Sequence, residues 1–339
     1  MKNVLVLGAT GAMGIYLVRK FSEKGYKVDA VSLDKVTDKK PNVTYYNFDA
    51  KDDILLKDFL NGKRYNAIVD FMLYFTEEFE KRHKLLLEST EHYIFLSSYR
   101  VYSNDENPIK ETSPRLLDAS DDKEFLKRVK IEYGLYKACQ EDVLRQSGFK
   151  NWTILRPTMV YSTYRYQLVG LEANTFLYRA QQGKTVVLPE SAMDVHAAMT
   201  WSGDVANMIE GLVLNPNAFG ETFTIGSSEK NTWRDVLNYY QQVVDFNYVL
   251  VSNEEYKTIF LKDYIDWNVN LWYQHIYDRF FDRQIDNSKI LSYTGLKQED
   301  FMPLKDGLKK ELLTIKDKYV WQESLISRSM DEFLKERKN

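Results

Sequence analysis

Tyr133 and Lys137, four residues apart, are the pair in this sequence best suited to moving a proton. On a helix that spacing puts both side chains on one face. A phenol titrates at about 10 in water, too high for proton exchange at neutral pH. A neighbouring ammonium favours the phenolate and brings Tyr133 toward general acid/base chemistry. Ser98 closes an apolar run, where its hydroxyl would orient a substrate alcohol or carbonyl. Taken alone, Tyr-x-x-x-Lys is a frequent accident of helical sequence. Its weight comes from its surroundings.

The first of these surroundings is Gly8-Ala-Thr10-Gly11-Ala12-Met13-Gly14, directly after a first apolar run and at the head of a first helix. Gly8 permits a tight turn, Gly11 lets the backbone approach a pyrophosphate, and Gly14 allows close packing of helix on strand. The helix start then offers N–H groups and partial positive charge to phosphates. Strand, glycine turn and helix together predict a dinucleotide site. Eighteen residues past Gly14 stands Ser32, followed by Asp34 and by Lys35, Lys39 and Lys40. A serine with lysines behind it suits the 2′-phosphate of NADP, whereas Asp34 suits the ribose of NAD, so both cofactors stay open. Asp49, followed by Ala50, is a candidate for the adenine amine or equally for a surface helix cap.

These residues need a frame. Apolar runs at Val4–Leu7, Lys27–Ser32, Val43–Phe48, Ala67–Met72, His92–Ser97 and Trp152–Leu155 predict six strands. Helical stretches at Met13–Lys24, Ile54–Leu60 and Thr76–Ser89 lie between them, with a long helix from about Asp122 to Ser147 capped by Gly148. Strands without alternation, separated by helices, predict an α/β fold: a Rossmann-type, doubly wound parallel sheet covered on both faces. Later, Leu171–Gln182, Gly203–Leu214 and Thr232–Val244 read as helices and Glu221–Ile225 as a strand. Residues 1–165 form the dinucleotide-binding part, with 195–228 returning to it. Residues 166–194 and 229–339 form a smaller C-terminal substrate-binding part ending in a charged helical tail, Leu308 to Lys338, expected at the periphery.

The 339 residues are 44% hydrophobic and 28% charged, an ordinary globular composition. A net charge of −3 gives no global field for nucleic acid or anionic membrane. A lone cysteine, Cys139, excludes an internal disulfide. No apolar stretch has the length of a membrane span, which places the protein in the cytoplasm as an expectation. Four histidines, His83, His92, His196 and His275, lack ligand spacing, so no metal is expected.

The chain resembles the extended, or atypical, short-chain dehydrogenase/reductase family, also called the NAD-dependent epimerase/dehydratase family. The likeness runs in order through GATGAMG at Gly8–Gly14, NFDAKD at Asn47–Asp52, NAIVDFMLY at Asn66–Tyr74, YIFLSSYRVY at Tyr93–Tyr102 and YGLYKACQEDVL at Tyr133–Leu144. It continues through WTILRPTMVY at Trp152–Tyr161, GDVANMIEGLVLNP at Gly203–Pro216 and GETFTIGSSEKNTWRDVL at Gly220–Leu237, and fainter through Asp282–Leu304. It is nearest a branch that includes chloroplast stem-loop RNA-binding proteins. The resemblance implies that Ser98, Tyr133 and Lys137 are catalytic. It implies a cofactor site of Gly8, Thr10, Gly11, Ala12, Met13, Gly14, Ser32, Asp34, Asp49, Ala50, Phe71, Met72, Lys137 and Arg156, with Arg156-Pro157 ending the sixth strand beside NAD or NADP. It also implies a nucleotide-sugar pocket and a possible homodimer through two helices.

Departures from the family pattern are equally specific. Tyr99-Arg100 replaces the Asp-Glu of dehydratases resembling this family, which disfavours water elimination and leaves these two as substrate contacts. Phe71-Met72-Leu73 replaces small residues, which would tighten the nicotinamide site. Ser103 and Ser162 replace glycines. The stretch Tyr256 to Phe281 is rich in aromatics, Trp267 and Trp272 included, and reads as core before pocket. Within it, Arg279 and Arg283 could grip a diphosphate, with solvated arginines as the competing reading. The function expected is an NAD(P)-dependent oxidoreductase or epimerase acting on a nucleotide-activated sugar as its small-molecule partner. The alternative is a non-catalytic NAD(P)-binding regulatory or RNA-binding protein.

Overall fold

In the first strand, successive side chains enter opposite interiors: Val4 and Val6 pack on one face of the sheet, Leu5 and Leu7 on the other. That two-sided burial recurs along a seven-stranded parallel sheet whose strands lie in the order Glu221–Ile225, Trp152–Pro157, Thr90–Leu96, Tyr65–Asp70, Asn3–Leu7, Lys27–Ser32 and Val43–Asn47. The computed structural model describes residues 2–37, 40–262 and 266–337. Lys39 and the Trp267 side chain lie outside what is described.

The strands are β1 Asn3–Leu7, β2 Lys27–Ser32, β3 Val43–Asn47, β4 Tyr65–Asp70, β5 Thr90–Leu96, β6 Trp152–Pro157 and β12 Glu221–Ile225. Helices α1 Gly14–Glu23, α8 Ser202–Leu212 and α12 Ser288–Thr294 cover one face; α2 Asp53–Leu60, α3 Thr76–Glu88 and α6 Tyr133–Gln146 cover the other. This is the doubly wound arrangement the sequence predicts. Short helices α4 Leu116–Ala119 and α5 Lys123–Leu126 precede α6. The remaining pieces are β7 Met159–Tyr161, β8 Gln167–Leu168, β9 Leu171–Glu172, α7 Ala173–Gln181, β10 Val186–Pro189, β11 Met199–Trp201, α9 Trp233–Gln241, β13 Tyr248–Val251, α10 Asn253–Leu261, α11 Asp266–Gln274, α13 Leu304–Ile315 and α14 Leu325–Glu336. β7 pairs with β11, β10 with β13, and β8 with β9.

Three expectations are corrected. The long helix over 122–147 is two helices, α5 and α6, because Asp122 caps the first and Glu132, in extended backbone, caps the second by accepting the Leu135 N–H at 2.9 Å. Tyr133 therefore opens a helix and does not sit inside one. The charged tail is not peripheral. Leu304, Leu308, Leu312, Ile326 and Met330 are buried in the interior of the smaller part, beside Trp233 and Tyr240 of α9, since an amphipathic helix with such a stripe must cover it. The cap of α2 is Asp52, which accepts from Ile54 and Leu55. Asp49 instead accepts the Lys51 N–H in a local turn.

The aromatic stretch packs as interior: Tyr256, Phe260, Trp272, His275 and Phe280 meet ring to ring. Among the described residues no helix is long and apolar enough to cross a membrane.

A buried ion pair fastens α6 to the sheet. Arg156 on β6 donates from Nε to Glu141 Oε1 at 2.8 Å and from Nη2 to Oε2 at 2.6 Å, with its guanidinium 4.5 Å above the Tyr102 ring. Burial alone would raise the Glu141 carboxyl, but Arg156 overrides it and holds the group down to about 2. Glu141→Gln would leave a buried guanidinium without its counter-charge, and we expect a loss of about 3–5 kcal/mol in urea unfolding at pH 7. A folded value below the unfolded one adds stability above the unfolded value and loses it as pH falls toward 2. The deficit of the variant should therefore shrink in acid.

Candidate active site

The glycine turn is built as its residue types require. Gly8 has φ +77°, the left-handed region that glycine tolerates, and the N–H groups of Gly8 and Ala9 both donate to the Val31 carbonyl at 3.0 Å. A Cβ on Gly14 would stand 2.3 Å from the Gly8 carbonyl oxygen, so only glycine lets α1 start this close to β1. Around the position of a Gly11 Cβ the Gly8 oxygen, at 3.3 Å, is the single neighbour within 4 Å among the described residues, and the turn is open on that side. No side chain caps α1 at Met13. An open turn at a helix start that no side chain caps fits a dinucleotide diphosphate.

Ser32 is buried and donates to the Asp34 carbonyl at 3.0 Å. The exposed Asp34 carboxylate accepts from the Thr10 hydroxyl at 2.6 Å, which puts its charge beside the turn.

From Met13 a cleft of about 590 Å³ runs along the C-terminal ends of the strands. Its lining includes Phe71, Met72, Ser98, Tyr99, Arg100, Tyr133, Lys137 and Arg279. The structure thus brings together the residues that sequence reasoning proposed for proton transfer. Phe71 stands against the glycine turn, its Cβ 3.2 Å from where a Gly8 Cβ would be, as expected of a bulky residue in place of a small one.

The meeting of Ser98 with Tyr133 depends on one close approach. Ser98 accepts the Arg100 N–H at 3.2 Å and starts a short turn over 99–101. The head of α6 lies on that turn: a Cβ on Gly134 would stand 2.7 Å from the Arg100 carbonyl oxygen. Glu132, besides capping α6, holds Arg100 by a 2.7 Å ion pair. The Arg100 guanidinium in turn lies 5.3 Å from the Tyr133 ring centre.

Electrostatics sort the two partners. Burial pushes the Tyr133 phenol above its ordinary value, while Arg165, Arg100 and the Ser98 hydroxyl pull it back and Glu132 pushes it up. The nearby cations acting on the phenol are therefore arginines, where the sequence suggested Lys137. Lys137 is almost wholly buried and donates to the Leu96 carbonyl at 2.8 Å. Burial lowers it to about 8, against the opposing pull of Asp70 and Glu141. Asp70, buried at the end of β4, accepts from the Tyr93 phenol at 2.8 Å and from the Met72 N–H at 2.9 Å, and burial raises it.

Other expected residues lie elsewhere. Arg156 faces α6 and is fully engaged by Glu141, so it does not line the cleft. Ala50 is packed in the interior with Leu56, and the exposed Asp49 accepts the Lys51 N–H at 2.8 Å outside the cleft lining. Arg279 and Arg283 are not solvated: both are 3% exposed and share Asp278, which also receives the Tyr99 phenol at 2.5 Å. Arg283 bonds the Tyr102 carbonyl at 2.7 Å and does not line the cleft. Only Arg279 reaches the lining, already tied to the Val169 carbonyl at 2.9 Å. His196 is in a loop against Asp282. Sequence reasoning missed Glu132, Tyr136, Gln167, Asn270, Gln274 and above all Arg165 in the lining. Glu132 and Arg165 lie between elements, Gln167 on the two-residue β8, Tyr136 in α6 and Asn270 and Gln274 in the nine-residue α11; none sits in a run whose periodicity marks an inward face.

The model of the NAD dependent epimerase/dehydratase family matches residues 4–226. The chloroplast stem-loop binding protein of 41 kDa b of Arabidopsis thaliana is 24% identical over 243 residues, 68% of this chain and 59% of that relative, so the chain spans well under two thirds of its length. Among solved structures, the Bordetella bronchiseptica enzyme WbmH in complex with NAD+ superposes with TM-score 0.68 at 13% identity, covering 94% of this chain and 100% of that one. MoeE5 in complex with UDP-glucuronic acid and NAD gives TM-score 0.68 at 17% identity, again covering 94% and 100%. At such identities the likeness to solved structures concerns the fold.

The buried ammonium makes its own forecast. With a folded value of about 8 against 10.5 unfolded, protonated Lys137 opposes folding below pH 8, and the penalty disappears as pH rises to about 10.5. Allowing for the lost bond to Leu96, Lys137→Met should stabilise the protein by about 2 kcal/mol at pH 7. Thermal unfolding across pH 7 to 10.5 should show that gain fade.

Proposed function

The chain belongs to the NAD dependent epimerase/dehydratase family, and from that premise we propose that it is an NAD-dependent oxidoreductase or epimerase acting on a nucleotide-activated sugar. The observation that carries the reading is the convergence of Ser98, Tyr133 and Lys137 on one cleft that starts at the open glycine turn. Solved structures of this fold hold NAD, and one holds UDP-glucuronic acid beside it, which supports the cofactor and the substrate class.

Bound NAD supplies the acceptor for hydride from a carbinol carbon. The chain does the rest. Tyr133 takes the hydroxyl proton as the carbinol becomes a carbonyl, and Arg165, Arg100 and Ser98 stabilise the phenolate that prepares it. Ser98 orients the reacting oxygen. Lys137, held by the Leu96 carbonyl, would bond the nicotinamide ribose hydroxyls when the cofactor is bound. Return of the hydride to the other face of the keto sugar, with the proton given back by Tyr133, would give an epimer; release at the keto stage, with the hydride left on the cofactor, would give a dehydrogenase. Identification of the product formed from candidate nucleotide sugars separates the two. For the cofactor, the exposed Asp34 carboxylate beside the turn suits the 2′-hydroxyl of NAD and repels a 2′-phosphate.

A second reading follows the plant relative, whose name records stem-loop binding. The net charge of −3 speaks against it, and salt-sensitive RNA binding without turnover would favour it.

Tyr133→Phe should reduce kcat by a factor on the order of 10²–10⁴ with circular dichroism unchanged. Turnover that survives this substitution rules out Tyr133 as the acid/base. Asp34→Asn should narrow the preference for NAD over NADP by on the order of tenfold, measured as the ratio of the two affinities.

A further inference from the structure

The cations along the cleft are not equivalent. Arg100 is held by Glu132 at 2.7 Å, Arg279 by Asp278 and the Val169 carbonyl, and Lys137 by the Leu96 carbonyl at 2.8 Å. The Arg165 guanidinium lines the same cleft and, among the described residues, has neither a hydrogen-bond nor an ion-pair partner. Its root is fixed. The Arg165 N–H donates to the Ser162 carbonyl at 3.1 Å, and its own carbonyl accepts from the Ser162 N–H at 3.0 Å. Between them, Thr163 donates to Glu311 at 2.6 Å and meets the Tyr16 phenol at 3.1 Å. A guanidinium on a clamped turn that no carboxylate among the described residues engages is placed to meet an incoming anion, and its planar fork matches a carboxylate with two parallel bonds.

We propose that Arg165 receives a carboxylate carried by the sugar close to the carbon that reacts, so that the preferred substrate is a nucleotide-activated uronic acid. The inference rests on the nucleotide-sugar reading above and names the substrate class of that site. The position of the guanidinium relative to the chemistry supports it: Arg165 lines the same cleft as Ser98, Tyr133 and Lys137, and its charge is among those that favour the Tyr133 phenolate.

The test is calorimetric titration of UDP-glucuronic acid and of UDP-glucose into the NAD-loaded protein, wild type and variants. Wild type should bind the uronate tighter than the neutral sugar by on the order of a hundredfold, the size expected of a close two-point contact between guanidinium and carboxylate. Arg165→Gln should bring that ratio close to one. Arg165→Lys, which keeps the charge and loses the fork, should restore part of it.

Equal affinities in the wild type, binding of neither sugar nucleotide, or a ratio unchanged in Arg165→Gln would each overturn the proposal. Equal losses for both ligands in that variant would do so too, because they would put the diphosphate on Arg165. Tyr133→Phe should keep the binding ratio while turnover falls. Should turnover persist there, the acid/base reading fails while the ratio still decides the fate of Arg165.

Discussion

The first turn of α6 lies against the carbonyl of Arg100, and the architecture of the candidate site follows from that contact. A side chain at position 134 would stand 2.7 Å from this carbonyl, so glycine is what allows the helix to begin there. Because it begins there, Tyr133 is the first helical residue, faces the turn that follows Ser98, and lies within reach of Arg100. Glu132 serves this junction twice, capping the Leu135 N–H and neutralising Arg100, and so fixes the helix end and the guanidinium with one carboxylate. A helix continued from residue 122, as the hydrophobic pattern alone would run it, would have buried the tyrosine in mid-helix and separated it from the serine.

Behind this junction the protein keeps several charges out of water. Glu141 and Arg156 satisfy each other and tie α6 to β6. Lys137 has no such partner at bonding distance among the described residues; a carbonyl and the more distant Asp70 and Glu141 temper its burial. The contrast has a physical logic. A buried pair with matched geometry is structural, whereas a buried ammonium lowered toward neutrality opposes folding and is retained where its proton or its hydrogen bonds are used. Tyr133 is the reverse case, a phenol raised by burial and drawn back by guanidinium groups, and any cation bound beside it moves it further toward the range in which it exchanges protons.

The smaller part of the molecule owes its shape to burial. Helices α13 and α14, highly charged on their outer faces, insert an apolar stripe against α7 and α9, and Glu311 of α13 pins the turn that carries Arg165. The C-terminal segment thus reaches the cleft through a single carboxylate on Thr163.

Reading the residues in order was enough for the sheet, the glycine turn and the Tyr133/Lys137 pair, because each is local: apolar runs bounded by helices, three glycines at fixed offsets, two side chains one helical turn apart. Even Gly14 could be assigned its close packing from the motif alone, and the 2.3 Å approach bears it out. Only the folded chain decided what depended on contacts distant in sequence. Arg156 sits in a strand at the expected place, yet the register of α6 gives its guanidinium to Glu141. Arg279 and Arg283 carry the right spacing for an anion, yet Asp278 between them claims both. Arg165 carries no pattern at all; its place in the cleft follows from a four-residue turn held by a carboxylate 148 positions away. Spacing fixes which side chains share a face, but whether a charge is free or already paired is settled by its neighbours in space.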